Sequence, residues 1–336
     1  MQNINTDNPL IKTNHFAECK IPSTIITEAK INFTPKITIA IPTYKRVDAL
    51  KEAIESAVNQ INFSEYDVII VDNNPERDCD VEKMIVSLGD HRISYYKNNK
   101  NIGMYNNWNR CITLAKGKYI TILNDDDTLN QNYLSAAYEN LKKEPSMEAF
   151  LCDFQYINHE SKIIGNKKKH SSKIIKINPL DFMCGNINPG SLGILFRKKS
   201  LLEKGGYDES FYPSADYMFL LDFTKTFKKV YRSSQVLTNY RLAYNESKNI
   251  DTLEGFIEKD RIIRKQLYSI YPYLAFLYKN ALPLIELKQY ESLSGVSDEF
   301  GAKNKNRIAL LKKSISFKNR FSLKLLSIIR RISHLF

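Results

Sequence analysis

Between residues 35 and 150 the chain alternates short apolar runs with amphipathic stretches, and few architectures accept that rhythm. Lys36–Pro42, Asp67–Val71, Arg92–Lys97 and Lys118–Leu123 are short and rich in Ile, Val and Tyr, which predicts strands. Asp48–Gln60, Asp80–Leu88, Tyr105–Ala115 and Asn130–Lys143 read as helices; in the first, Leu50, Ala53, Ile54, Ala57 and Val58 share one face. Strands linked through helices run parallel, so the pattern predicts an α/β, Rossmann-like fold with a mostly parallel central sheet and flanking helices.

From Ala149 the rhythm loosens. Ala149–Tyr156 and Leu192–Arg197 read as strands around a polar, Lys-rich loop or hairpin at Lys162–Lys176. Gly205-Gly206 ends a short helix, Asp216–Phe227 forms another, and strands follow near Lys229–Tyr231 and Val236–Arg241. Beyond Thr252 the pattern is helical, with Pro272 and Pro283 marking breaks. Residues 1–34 form an N-terminal extension, either a loose arm or a decoration of the sheet edge. Expected boundaries are therefore 1–34, 35–245 for the α/β domain, and 246–336 for a C-terminal helical region.

With 43% hydrophobic and 26% charged residues, the composition is that of an ordinary globular protein. The formal net charge of +12 invites a nucleic-acid reading until it is located. No acid follows Glu299, and ten basic residues lie between Lys303 and Arg331. Without them the rest of the chain carries only about +2, which argues against nucleic acid. Five scattered cysteines, Cys19, Cys79, Cys111, Cys152 and Cys184, have no metal-ligand or disulfide spacing and suggest reduced thiols. The N-terminus lacks the apolar core of a secretory signal, and the uncharged stretch Gln266–Tyr278 contains Pro272 and is too short to span a bilayer. A cytoplasmic location is expected.

Three consecutive acids, Asp125-Asp126-Asp127, directly follow the apolar run Tyr119–Leu123. Ligands of open α/β sheets bind at the carboxyl ends of strands. Carboxylates crowded there repel one another unless a cation sits among them, and an oxygen-only set suits Mg²⁺ or Mn²⁺ with a diphosphate. The alternative is that Asp127 or Thr128 caps the helix beginning near Leu129. Three further segments belong at strand ends on the same sheet edge: Pro42-Thr43-Tyr44-Lys45-Arg46, Asp72-Asn73-Asn74, and Gly205-Gly206-Tyr207-Asp208-Glu209 running on to Ser214-Ala215-Asp216.

In order and separation, ITIAIPTYKR, VIIVDNN, NIGMYNNWNRCITLAKGKYITILNDDD and GSLGILFRKKSLLEKGGYDESFYPSADYMFLLDF resemble the family-2 glycosyltransferases over roughly residues 36–245. That family implies the GT-A fold, inverting chemistry and a nucleotide-sugar donor, with UDP-sugars favoured. It makes Asp127 the direct metal ligand, with Asp125 or Asp126 assisting, and puts Asp126 near the ribose. Asp72 would accept the ring N–H of uracil or thymine, while Pro42, Thr43 and Tyr44 would line the base pocket. Arg46 is either a donor contact or a solvated helix-surface charge.

The family's base is the second member of an acidic pair before a helix, a position Asp216 fills, although the first member here is Ala215. Asn101, Gly103 and Asn109 match its N-x-G…N stretch, with Asn109 ordering the donor pocket; Trp108 suits either a stacking role or the core. Relatives carry a His after a Tyr-Arg pair on a late strand. Here the segment is Tyr240-Arg241-Leu242-Ala243-Tyr244, leaving Arg241 as a phosphate contact.

At the C-terminus Phe321, Leu325, Ile328, Ile329, Ile332, Leu335 and Phe336 form an apolar stripe flanked by Arg320, Lys324 and Arg331. A basic amphipathic helix suits an anionic membrane surface, and hence a peripheral enzyme on the inner face of the plasma membrane with a glycan or lipid-linked acceptor. Packing on the catalytic domain, or pairing in a homodimer, is the alternative use of the stripe. The resemblance implies bacterial O-antigen or capsule synthesis. Its rival is a degenerate, non-catalytic GT-A module that docks on a membrane.

Overall fold

The computed structural model describes residues 14–18, 21–165, 173–242 and 249–334. Residues 1–13, Cys19, the 166–172 part of the Lys-rich stretch, Ala243-Tyr244, and Leu335 and Phe336 of the apolar stripe lie outside the described residues.

In chain order the elements are α1 (His15–Glu18), β1 (Ser23–Thr27), β2 (Ile37–Thr43), α2 (Asp48–Val58), β3 (Tyr66–Asp72), α3 (Asp80–Leu88), β4 (Ile93–Asn98), α4 (Met104–Leu114), β5 (Tyr119–Ile122), β6 (Thr128–Leu129) and α5 (Tyr133–Lys143). Then come β7 (Ala149–Ile157), β8 (Ile163–Ile164), β9 (Ile174–Lys176), β10 (Ile194–Arg197), α6 (Lys198–Lys204), α7 (Ala215–Thr226) and β11 (Val230–Arg241). Five helices close the chain: α8 (Ile250–Ile270), α9 (Ala275–Ser294), α10 (Asp298–Lys303), α11 (Lys305–Ser314) and α12 (Phe317–Ile332). These fall into two compact units, Met1–Glu139 with Ile194–Glu209, and Asn140–Gly193 with Ser210–Phe336.

In the first unit the strand order is β1-β4-β3-β2-β5-β10. The β2–β3, β3–β4 and β2–β5 pairs are parallel. Both flanks are antiparallel, through β1–β4 and β5–β10, so the sheet is mixed. The N-terminal extension thus contributes an edge strand. Every residue of β2, β3 and β4 is buried, as strands covered on both faces should be. Register decides what happens at their carboxyl ends: Thr43 lies beside Asp72, and Leu123 N donates to Ala40 O at 2.9 Å. The acid triplet therefore emerges next to the ends of β2 and β3.

Gly117 permits the close approach of β5 to β2. A Cβ there would come within 2.6 Å of Thr38 N and 2.7 Å of Tyr119 O, backbone atoms that cannot yield. Gly117→Ala is expected to destabilise by about 1–3 kcal/mol through overpacking. A lowered urea midpoint with an unchanged m-value would report it.

In the second unit β7 and β11 pair in parallel, with β8 antiparallel to β7 and β9 antiparallel to β11. The two strands expected near 229–241 are one, β11, whose register shifts between Arg232 and Val236 absorb the polar Ser233-Ser234-Gln235. Helices α8 to α12 enclose a core of Leu253, Ile257, Leu284, Leu287, Tyr290, Phe300 and Leu311, against which Ile308, Ile315 and Leu323 pack. Pro272 interrupts the helical run as expected, but Pro283 lies inside α9. An interior proline removes one helical hydrogen bond and crowds the preceding turn. Tertiary packing outweighs that cost here, and Asn319 of α12 donates to Asn280 O at 2.7 Å.

The basic C-terminus is better compensated than its sequence suggests. Lys303, Arg307 and Lys312 pair with Glu254, Glu286 and Glu291 at 2.6, 3.3 and 3.0 Å. α12 buries Ser322 and Leu326, while Phe317 (81% exposed), Phe321, Ile328 and Ile332 face outward. Among the described residues no helix is long and apolar enough to cross a membrane. Cys79, Cys111, Cys152 and Cys184 are free thiols.

Candidate active site

The loops after β2 and β5 of the first unit knit the acid triplet into the sheet edge. Thr43 Oγ1 donates to Asp125 Oδ2 at 2.8 Å, and Arg46 Nη1 bridges Asp125 Oδ1 at 3.1 Å and Asp126 Oδ2 at 2.6 Å. Arg46 is thus no solvated helix-surface charge; it precedes α2 and neutralises two of the three acids. Burial pushes the Asp125 carboxyl up to about 6, with Arg46 opposing the rise and Asp126 adding to it. Asp127 is buried and accepts from Asn124 Nδ2 at 2.8 Å. Pro42 sits inside β2, and Tyr44 stands beside the acids with 42% exposure and Lys45 Nζ 5.5 Å from its ring centre.

Asp72, the expected acceptor for a base N–H, has another task. It is 0% exposed, and it accepts from Asn74 N, Tyr95 OH and Lys97 Nζ, each at 2.8 Å. Lys97 is also buried, and it lies beside Asp72 in the β3–β4 register. A carboxylate so committed fixes the strand ends and presents nothing to a base. Beyond it, Asn73 Nδ2 donates to Asn101 Oδ1 at 2.7 Å, and Asn98 Nδ2 reaches Asn73 Oδ1 and Asn107 Oδ1 at 3.0 and 2.8 Å.

The N-x-G…N stretch has a structural partner, the Gly-Gly-Tyr-Asp-Glu turn. Gly103 caps α4 at φ 86°, where a side chain is disfavoured, and a Cβ would meet Glu209 Oε1 at 2.5 Å. Glu209 Oε2 accepts from Asn106 N at 2.8 Å, placing a carboxylate on the helix N-terminus. The GGYDE motif carries this acid, but nothing local in the sequence marks the helix it meets. Asn109 accepts from Tyr207 N and donates to Tyr207 O, both at 2.8 Å. Trp108 is core, edge-on to Tyr105 and Tyr207 at 5.1 and 5.3 Å. Asn109→Ala would strand both Tyr207 backbone groups at about 1–3 kcal/mol each, measurable as a lower melting temperature.

Asp216 belongs to the second unit, in the first turn of α7, where its Oδ2 accepts from Asn186 Nδ2 at 2.7 Å. Beside it Ala215 is buried and Tyr217 OH donates to Phe182 O at 2.8 Å. Arg241, the expected phosphate contact, is buried and donates to Asn158 O and His159 O at 3.0 and 3.2 Å, which secures a turn.

Among the described residues, no three His, Cys, Asp or Glu side chains converge as a metal site. Both oxygens of Asp125 are engaged by Thr43 and Arg46, which leaves it poorly placed as a ligand. An oxygen set with one protein carboxylate, Asp127, still fits Mg²⁺ or Mn²⁺, because these ions fill their remaining positions with substrate phosphate and water.

The family model described as "Glycosyl transferase family 2" matches residues 38–206. GalNAc(5)-diNAcBac-PP-undecaprenol beta-1,3-glucosyltransferase of Campylobacter jejuni is 27% identical over 238 residues, 69% of this chain and 75% of that one. Abequosyltransferase RfbV of Salmonella typhimurium is 30% identical over 119 residues, 35% of each chain. Among solved structures, S. aureus TarS 1-349 in complex with UDP-GlcNAc superposes with a TM-score of 0.53 at 13% identity, covering 89% of this chain and 92% of that one. At that identity the likeness concerns the fold, which is GT-A.

Proposed function

Because the chain belongs to glycosyl transferase family 2, we propose that it moves a sugar, with inversion, from a nucleotide-diphosphate donor to a hydroxyl of a glycan or lipid-linked acceptor. The setting we infer is bacterial surface polysaccharide, O-antigen or capsule, with a UDP-sugar as donor. The observation that carries this reading is the acid triplet at the end of β5, tied to β2 through Thr43 and Arg46. The undecaprenol-linked compound in the name of the Campylobacter relative and the UDP-GlcNAc bound to TarS support the choice of substrates.

In this mechanism the acceptor oxygen attacks the sugar C1 in line with the departing diphosphate, and Asp216 takes the hydroxyl proton. Charge grows on the leaving group as the C1–O bond breaks. A divalent ion held by Asp127 would supply charge neutralisation there. Arg46 restrains Asp125 and Asp126, and exposed Tyr44 offers a ring for the base. The test is a thermal-shift screen of the full chain with UDP-, GDP- and dTDP-sugars and Mn²⁺, followed by donor turnover. UDP-sugars are expected to raise the melting temperature most. Absence of both a shift and Mn²⁺-dependent turnover would favour the non-catalytic module.

We further infer that the enzyme works peripherally on the inner face of the plasma membrane, through the outward side of α12. Phe317, Phe321, Ile328 and Ile332 are exposed there among Lys318, Lys324 and Arg331, with Lys318 Nζ 5.1 Å from the Phe276 ring centre. Each basic residue near an anionic surface contributes about 1 kcal/mol. Replacing Lys318 and Lys324 by Glu is expected to lower binding to phosphatidylglycerol vesicles at least about tenfold, with donor turnover retained. Equal binding of both proteins, or equal binding to phosphatidylcholine, would rule this surface out.

A further inference from the structure

The hydrogen bond from Asn186 to Asp216 comes from a segment of the second unit that is anchored on both sides of the asparagine. Before it lies a short 3₁₀ turn, Pro179–Cys184, capped by Asn178 Oδ1, which accepts from Leu180 N at 2.9 Å. Tyr217, the residue after Asp216, donates through its OH to Phe182 O at 2.8 Å, and Tyr278 OH of α9 donates to Met183 O. After it, Arg232 Nη1 donates to Ile187 O at 2.6 Å while Nη2 pairs with Asp153, and Asn188 Nδ2 donates to Leu192 O at 2.8 Å. Asn188 N also donates to Asn186 Oδ1 at 3.3 Å, and this fixes the orientation of the amide. Its donor end, Nδ2, therefore faces Asp216 Oδ2 at 2.7 Å.

We propose that Asn186 is a positioning residue for Asp216: from a doubly anchored backbone it donates the hydrogen bond that fixes the rotamer of the carboxylate. This rests on the assignment of Asp216 as the base. A base must lie within hydrogen-bond reach of the proton it takes, so a carboxylate that turns freely spends part of its time misdirected. A lysine or arginine could also hold it, but a cation would favour the ionised form strongly and make the carboxylate a weaker base. A neutral amide holds one oxygen with less effect on basicity. Asn186 is exposed and Asp216 half-buried, so the contact leaves the pair within reach of solvent.

The test compares Asn186→Asp with Asn186→Ala in the full chain. Aspartate keeps the size of the side chain and the oxygen that accepts from Asn188, but it turns an oxygen instead of a donor toward Asp216. A role confined to shaping the loop would tolerate that exchange. The assay is UDP release, with Mn²⁺, from the UDP-sugar that gives the largest thermal shift. In both variants kcat is expected to fall about 10- to 100-fold, with KM for the donor within about twofold. The acidic limb of kcat should move to higher pH, further for aspartate than for alanine. A hydrogen bond to the ionised form has gone in both, and in the first a like charge takes its place. ¹³C NMR titration of labelled aspartate carboxyls should read the same upward shift of the Asp216 midpoint without any turnover. Asp153, Arg232 and Asp260 are unaltered in both variants, so the shift reports position 186. An Asp216 midpoint indifferent to both replacements, or wild-type kcat in Asn186→Asp, would overturn the role of Asn186 alone. Wild-type kcat in Asp216→Asn would overturn the base assignment, and this role with it.

Discussion

Asp216→Asn is expected to lower turnover by about 10²–10⁴-fold, the range that a positioned general base supplies. Asparagine keeps the size of the side chain and can still accept from Asn186, so the first turn of α7 should survive. What it cannot do is take a proton. An interaction used only as the acceptor oxygen attacks affects kcat and kcat/KM together, so donor affinity should stay within about twofold. Isothermal titration with a UDP-sugar beside steady-state turnover gives both numbers. A rate unchanged from wild type would require another base.

Asp127→Asn carries the second large expectation: loss of Mn²⁺-dependent donor binding and a fall in turnover of about 10²–10³-fold, comparable to removing one electrostatic contact to a leaving group. Asp125→Asn should do less to the metal dependence, because Thr43 and Arg46 already engage both of its oxygens. The comparison is therefore internal. UDP binding measured with and without Mn²⁺ should lose its metal dependence in the Asp127 variant and keep it in the Asp125 variant. Identical behaviour of the two would remove the distinction drawn from their hydrogen bonds.

Much of the architecture could be read from the sequence because its signals are local. The β-branched runs of β2 to β5 and the apolar faces of α2 and α4 name their own secondary structure, and a strand followed by three acids places those acids at a sheet edge. Long-range partners could not be read so. Lys97 ends a strand like any other lysine until the register sets it beside Asp72, 25 residues away. Arg46 meets acids about 80 residues later. Pro283 misleads for a related reason, since its local helix-breaking tendency is outweighed by packing of α12 on α9.

The interlocked C-terminal helices also bear on how the enzyme should be dissected. Ile308, Leu311, Ile315 and Leu323 help close the cluster around Phe300, and three lysine or arginine side chains latch α10 and α11 onto earlier glutamates. A chain cut after Phe300 would therefore lose part of its own interior along with any lipid-facing surface. Its failure to sediment with vesicles would have two explanations, whereas exchanging surface charges on an intact scaffold leaves one.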